Sequence, residues 1–228
     1  MATHLDLEEQ EQLDQLKAFW KQYGNLITWT LILALAGFAG WTAWNNWRQD
    51  QSVKAGALYD ELDKAVQAGD TDKTARVFAD MKERFPSTGY TQQGALLAAK
   101  LQFDKGQADA ARATLVWVGE NAAEGEYRTV ARLRLAGLLL DEKKYDEALK
   151  QLDGATAKEF AALVADRRGD VLLAQGKKDE AKAAFGQAWK AMDESLEYRR
   201  IVEAKLAVLG AAPAAEAPKG AASDGAGK

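Results

Sequence analysis

The stretch LITWTLILALAGFAGWTAW, residues 26 to 44, carries no charge in nineteen positions, and nothing else in the chain constrains its fold so tightly. A helix rises about 1.5 Å per residue, so nineteen residues cover ~29 Å, close to the hydrocarbon thickness of a bilayer. The chain around it is hydrophilic, with 28% charged residues and a mean hydropathy of −0.36. Trp29 lies near one end of the stretch, and Trp41, Trp44 and Trp47 gather toward the other, where rings preferring the membrane–water boundary would sit. We read residues 25–47 as a single transmembrane helix. A buried core helix of this length is the bland alternative. Ala34-Leu35-Ala36 also has the small-x-small form of a signal-peptide cleavage site. A signal begins with a short basic stretch, however, whereas the 24 residues here are long and acidic.

Ala36, Gly40 and Ala43 recur at helical spacing and form a smooth stripe for close approach of another membrane helix. Small residues are also simply common in such helices. Orientation does not follow from charge. Lys17 and Lys21 flank the span on one side and Arg48 and Lys54 on the other, two against two, so the positive-inside rule makes no choice.

Residues 1–24 form a short acidic, amphipathic segment. Leu13, Leu16, Trp20 and Tyr23 repeat at three-four-three spacing, Asp6 with Glu9 has the spacing of a capping box, and Lys17 and Lys21 come late, in agreement with the helix dipole. The segment is either a docking or surface-lying helix or an extension of the membrane helix.

Residues 48–209 contain one proline, Pro86, and are dominated by good helix formers with no alternating β-type run, so the region is expected to be helical throughout. Gly69, Gly106 and Gly176 each follow a helical stretch and precede a short polar run. QAGDTDKTARVF, DKGQADAARATL, DEKKYDEALKQL and AQGKKDEAKAAF share one layout: a polar turn, a small residue, and a large apolar residue four positions later. The pairs are Thr74/Phe78, Ala111/Leu115, Ala148/Leu152 and Ala181/Phe185, and successive units start 37, 37 and 33 residues apart. The small residue lets the second helix of a hairpin approach the first, and the large one fills the gap to the next hairpin. This period, with YDEAL at Tyr145–Leu149 and the closing Pro86 of the first unit, resembles the tetratricopeptide repeat. In the first helices the bulky aromatic of that motif is replaced by Leu58, Ala95, Arg132 and Ala165, and its glycine survives only as Gly169. The expected fold is therefore all-α: one transmembrane helix, then a tetratricopeptide-like solenoid of about four hairpins. Residues 195–210 follow as a capping helix, and residues 210–228, rich in Ala, Gly and Pro with no large apolar side chain, as a disordered tail.

The repeat register places Tyr59, Leu96, Lys100, Phe103, Val130, Leu133, Leu140, Leu163, Asp166, Asp170 and Leu173 on the concave face. That face is mainly apolar, lacks a paired Lys/Asn clamp for a terminal carboxylate, and is suited to an unfolded segment or a partner helix. Internal packing is the competing role for these side chains.

Composition removes most catalytic kits. The chain has no cysteine, and its one histidine, His4, lies in the polar N-terminal stretch, so thiolate chemistry, a Ser-His-Asp triad and a two-His zinc site are excluded. The adjacent acids Asp60/Glu61, Asp141/Glu142 and Asp179/Glu180 point in different directions on a helix and read as solvated faces. There is no phosphate-binding glycine loop. A net charge of −4 and a pI near 5.3 give no footprint for nucleic acid. No enzyme, cofactor or metal is expected.

An acidic start, LKAFWKQYGN leading into one uncharged span, and helical repeats behind it closely resemble the ancillary SecYEG translocon subunit (YfgM-like) family of Gram-negative bacteria. The resemblance covers roughly residues 5–209, and Leu16–Asn25 is its most specific part. It implies a cytosolic N-terminus, an inner-membrane anchor and a periplasmic repeat domain. It also implies association with the SecYEG translocon and the membrane-anchored chaperone PpiD, and a link to the Rcs stress response. The function expected from it is a translocon accessory factor that binds a chaperone or unfolded client chains. Assembly of another envelope complex, such as cytochrome c maturation, and stress-signalling regulation are the alternatives.

Overall fold

The computed structural model describes residues 7–211. Asp6 of the Asp6–Glu9 capping pair, His4 and the tail from 212 onward lie outside the described residues. Those residues are all helical apart from turns: α1 (Leu7–Gln67), α2 (Thr71–Arg84), α3 (Gly89–Asp104), α4 (Ala108–Asn121), α5 (Gly125–Asp141), α6 (Tyr145–Asp153), α7 (Ala161–Ala174), α8 (Lys178–Ala191) and α9 (Glu197–Val208), with a 3₁₀ turn at Lys158–Phe160 before α7. Contacts divide the chain into two units that meet after Val53.

The first unit is the N-terminal part of α1. Helix is continuous from the acidic segment through the uncharged stretch, so residues 7–25 extend the membrane helix rather than forming an element of their own. Leu31, Ile32, Leu33, Leu35, Phe38, Trp41 and Trp44 are all exposed, as a surface meant for lipid would be. This helix is long and apolar enough to cross a membrane. Trp44 and Trp47 stand one turn apart with ring centroids at 5.2 Å.

The second unit starts with the last turns of α1, which pair with α2. Hairpins α3–α4, α5–α6 and α7–α8 follow, and α9 closes the series. One turn design joins each pair. Gly69, Gly106, Lys143 and Gly176 all adopt positive φ, between 59° and 80°. In each case the next residue's N–H reaches the carbonyl five positions back: Asp70 to Ala65, Gln107 to Gln102, Lys144 to Leu139 and Lys177 to Leu172, at 2.8–3.0 Å. This arrangement satisfies carbonyls that the helix end would otherwise leave open. Glycine enters the left-handed region freely, whereas Lys143 carries a Cβ into it.

Five residues after each turn residue stands Thr74, Ala111, Ala148 or Ala181, all at most 1% exposed. Four further on come Phe78, Leu115, Leu152 and Phe185, all at most 8% exposed. Pro86 follows Phe85, the C-cap of α2, where it keeps the helix from continuing. Two apolar clusters result, one from α1 to α7 around Leu62, Met81, Val118 and Leu135, the other among α7, α8 and α9 around Phe185 and Val202. Arg132, which replaces a bulky aromatic, donates from Nη2 to the Gly119 carbonyl at 3.2 Å and lies against Gly154, where a Cβ would come within 1.4 Å of the guanidinium. A long cation here does the space filling of a ring.

One core position is costly. Gln92 in α3 is fully buried, and neither its amide nitrogen nor its oxygen has a partner among the described residues. Gln92→Met keeps the volume and removes the desolvation penalty, so we expect stabilisation by about 1–2 kcal/mol, read as a raised thermal midpoint.

Glu142 is an ion-pair residue, in place of the solvated face expected for Asp141/Glu142. Lys144 bonds it at 2.9 Å, Arg112 of α4 bonds its other oxygen, and these bonds, Lys144 first, hold its pKa below the usual carboxylate value.

Candidate functional site

The first helices of the hairpins, α3, α5 and α7, line a trough. Between α3 and α5 it deepens into a cavity of about 450 Å³, with Ala99, Phe103, Leu115 and Leu138 among its walls. Between α5 and α7 a second cavity, of about 290 Å³, is walled by Val130, Leu133, Phe160, Leu163 and Tyr198. Arg134 and Arg167 line both.

The structure distributes the expected concave residues unevenly. Phe103 and Leu163 are 46% and 39% exposed and face the trough. Lys100 also lines it and is paired with Asp104. Val130 and Leu133 are half-buried in its wall, whereas Leu96 is buried in the first core cluster and Leu140 and Leu173 pack against the two clusters. Tyr59 lies away from the two cavities, its ring 5.7 Å from that of Tyr90, and burial pushes its hydroxyl pKa up.

Asp166 and Asp170 are not open to a partner. Lys205 of α9 contacts Asp166 at 2.8 and 3.0 Å and Asp170 at 2.7 Å, and the Tyr198 hydroxyl donates to Asp166 at 2.7 Å. The capping helix therefore claims the acidic end of the concave face, and Asp166 is only 2% exposed. Val202 and Leu206 are the residues of α9 that face the core, while Ile201 stays exposed.

Burial, followed by the bond to Asp166, raises the Tyr198 pKa to about 12 from 10.0. Because folding favours the protonated phenol, this contribution to stability is complete below pH 10 and is lost as pH rises from 10 to about 12. We expect the α9 end to loosen across that window, and Tyr198→Phe to flatten the dependence. Thermal melts at pH 9 and pH 11 check this.

Sequence reasoning missed Arg134 and Arg167. They stand at the same register, nine residues before Lys143 and Gly176, and that coincidence is the signal that would have found them. Among the described residues no group of three or more His, Asp or Glu is placed to hold a metal ion.

The decisive observation is similarity over nearly the whole chain. A model of the tetratricopeptide repeat-like domain family matches residues 17–211. A Neisseria gonorrhoeae protein named ancillary SecYEG translocon subunit is 35% identical over 90% of this chain and 98% of its own length. The chain belongs to the ancillary SecYEG translocon subunit family. An Escherichia coli member of that name is 31% identical over 78% of this chain and 85% of its own, and a Haemophilus influenzae member 30% identical over 80% and 89%. No solved structure gives a significant match. Family membership and the apolar helix together fit a membrane-anchored protein.

Proposed function

We propose that the chain is a non-enzymatic accessory factor of the Sec translocon, anchored in the inner membrane with its N-terminus in the cytosol and its repeat unit in the periplasm. There the trough receives emerging polypeptides or a membrane-anchored chaperone of the PpiD type. The observation that carries this is the near full-length similarity to members named for the SecYEG translocon, together with the long apolar helix ahead of the repeats in this chain. Two apolar cavities side by side, with exposed Phe103 and Leu163, give a scaffold somewhere to hold a chain lacking its own core. Tethering explains the anchor: a weak site held beside its ligand gains effective concentration without high intrinsic affinity. The Ala36, Gly40, Ala43 stripe faces open space and is the surface proposed to contact the translocon's membrane helices.

The test is co-purification and topology. Deleting residues 1–47 should abolish recovery of SecYEG with the repeat unit, and undiminished recovery would sink the tethering role. Protease added to spheroplasts should digest the repeat unit, and protection would place it in the cytosol.

A further inference from the structure

We infer that the trough selects extended chain segments in which an acidic side chain lies between two bulky apolar ones, with Arg134 and Arg167 reading the carboxylate. This rests on the reading of the trough as a site for emerging polypeptides, and names what such a segment must carry.

Two guanidiniums stand where the two cavities meet. Arg134 on α5 is open to solvent on the trough side, yet the walls desolvate it enough to lower its pKa. It donates from Nη1 to the Leu96 carbonyl at 2.9 Å and has no carboxylate within ion-pair distance among the described residues. Arg167 on α7 reaches across to α5, its guanidinium 3.8 Å from where a Cβ on Gly137 would stand, and only grazes Asp170 at 3.8 Å. The neighbouring acids are held more closely by lysines, Asp166 at 2.8 Å and Asp170 at 2.7 Å by Lys205 and Asp104 by Lys100, so that Arg134 keeps no carboxylate and Arg167 only a share of Asp170. Asp141, without an ion pair among the described residues, lines the cavity between α3 and α5, so a carboxylate shifted toward it meets repulsion. A partly dehydrated cation that a fold leaves without a counter-ion binds an anion better than a fully hydrated one, and guanidinium suits a carboxylate in particular.

Geometry adds the flanks. One cavity, with Phe103 in its wall, lies on the α3 side of the arginines, and the other, with Leu163, on the α7 side. Packed helices stand about 8–10 Å apart, and an extended chain returns side chains to one face every second residue, so apolar residues two positions to either side of an acid lie ~13 Å apart, enough to bridge neighbouring cavities. An internal Asp or Glu with apolar neighbours on both sides fills both cavities at once, whereas a terminal carboxylate leaves one empty. We therefore assign the arginines to an internal acid.

The experiment uses the full chain in lipid nanodiscs and fluorescence anisotropy with an end-blocked, labelled peptide, Gly-Ser-Phe-Ser-Glu-Ser-Leu-Gly, beside its Gln-for-Glu analogue. The Glu peptide should bind about tenfold tighter, since charge-assisted bonds are roughly twice as strong as neutral ones, and added salt should erase the difference. Arg134→Gln with Arg167→Gln should bring the ratio to about one. Equal affinity of the two peptides for the wild-type protein overturns the inference. So does tighter binding of a peptide ending in a free carboxylate, which would reassign the arginines to chain termini. If the peptides bind equally and Phe103→Glu or Leu163→Glu abolishes both, the client-binding trough stands and the acid preference falls. If neither peptide binds, both readings fail together.

Discussion

Gly169→Ala should lower stability by about 2 kcal/mol, although alanine is the better helix former by ~1 kcal/mol. Gly169 is buried in α7 facing α8, and a Cβ built there comes within 2.5 Å of Cδ1 and Cε1 of Phe185 and 2.8 Å of its Cζ. Phe185 is fully buried and is the large apolar residue of its hairpin, so its ring has nowhere to retreat. Such overpacking typically costs 1–3 kcal/mol and displaces backbone. The thermal midpoint should fall by roughly 4–8 °C for a unit of this size, and Phe185→Leu in the same chain should recover part of the loss. Gly186→Ala provides the opposite sign. Nothing lies within 4 Å of a Cβ there, so helix propensity acts alone and stability should rise by up to about 1 kcal/mol. Equal effects at the two glycines would show that the α7–α8 seam is looser than its geometry indicates.

Lys205→Met should cost about 3–5 kcal/mol, because removing one partner leaves a buried charge uncompensated. Asp166 has 3% of its side chain exposed, and its near neighbour Asp170 depends on the same ammonium. Burial already holds the Asp170 pKa above its ordinary value with Lys205 in place. Loss of the cation raises it further, so the folded state takes up a proton that the unfolded chain releases. The sign follows: the variant approaches wild-type stability below about pH 4 and falls behind as pH rises through the carboxylate range. Because a repeat array opens from its ends, the loss should appear first as faster amide exchange in α9 and α8, with α3 and α5 protected as before. Adding Asp166→Asn to Lys205→Met should restore much of the protection. Uniform exchange along the whole array would argue against a local latch.

The order of helices was legible because it is written locally. The turn glycines Gly69, Gly106 and Gly176, and the small and large residues at fixed offsets, each depend on neighbours within one hairpin. Lys143 was not legible as a left-handed residue, since its side chain gives no hint of positive φ, and only its phase with the three glycines marks it. The site was legible in part. Phe103 and Leu163 were placed in the trough by register alone, because exposure on a helix face follows from the period of the helix. The fate of Asp166 and Asp170 was hidden, as their partners Tyr198 and Lys205 lie 32 to 39 residues along the chain and belong to a helix whose packing angle no local pattern records. Arg134 was overlooked for another reason: its Cα lies off the expected concave positions, and only the length of its side chain carries the charge into the trough.

Seven residues before the turn residues stand Leu62, Ala99, Ala136 and Gly169, each buried where the second helix of its hairpin docks. α9 ends in the same way, with Gly210 at φ 70°, yet seven residues before it stands Glu203, half-exposed and charged. A chain of stacked hairpins is by nature an open-ended lattice, and its last member would recruit a hairpin from a neighbouring molecule if its docking face were apolar. A carboxylate at that position makes such recruitment cost a desolvated charge. Among the described residues the stack thus closes on a charged position where each earlier first helix carries a small or apolar one, and continuing it past α9 would bury that charge.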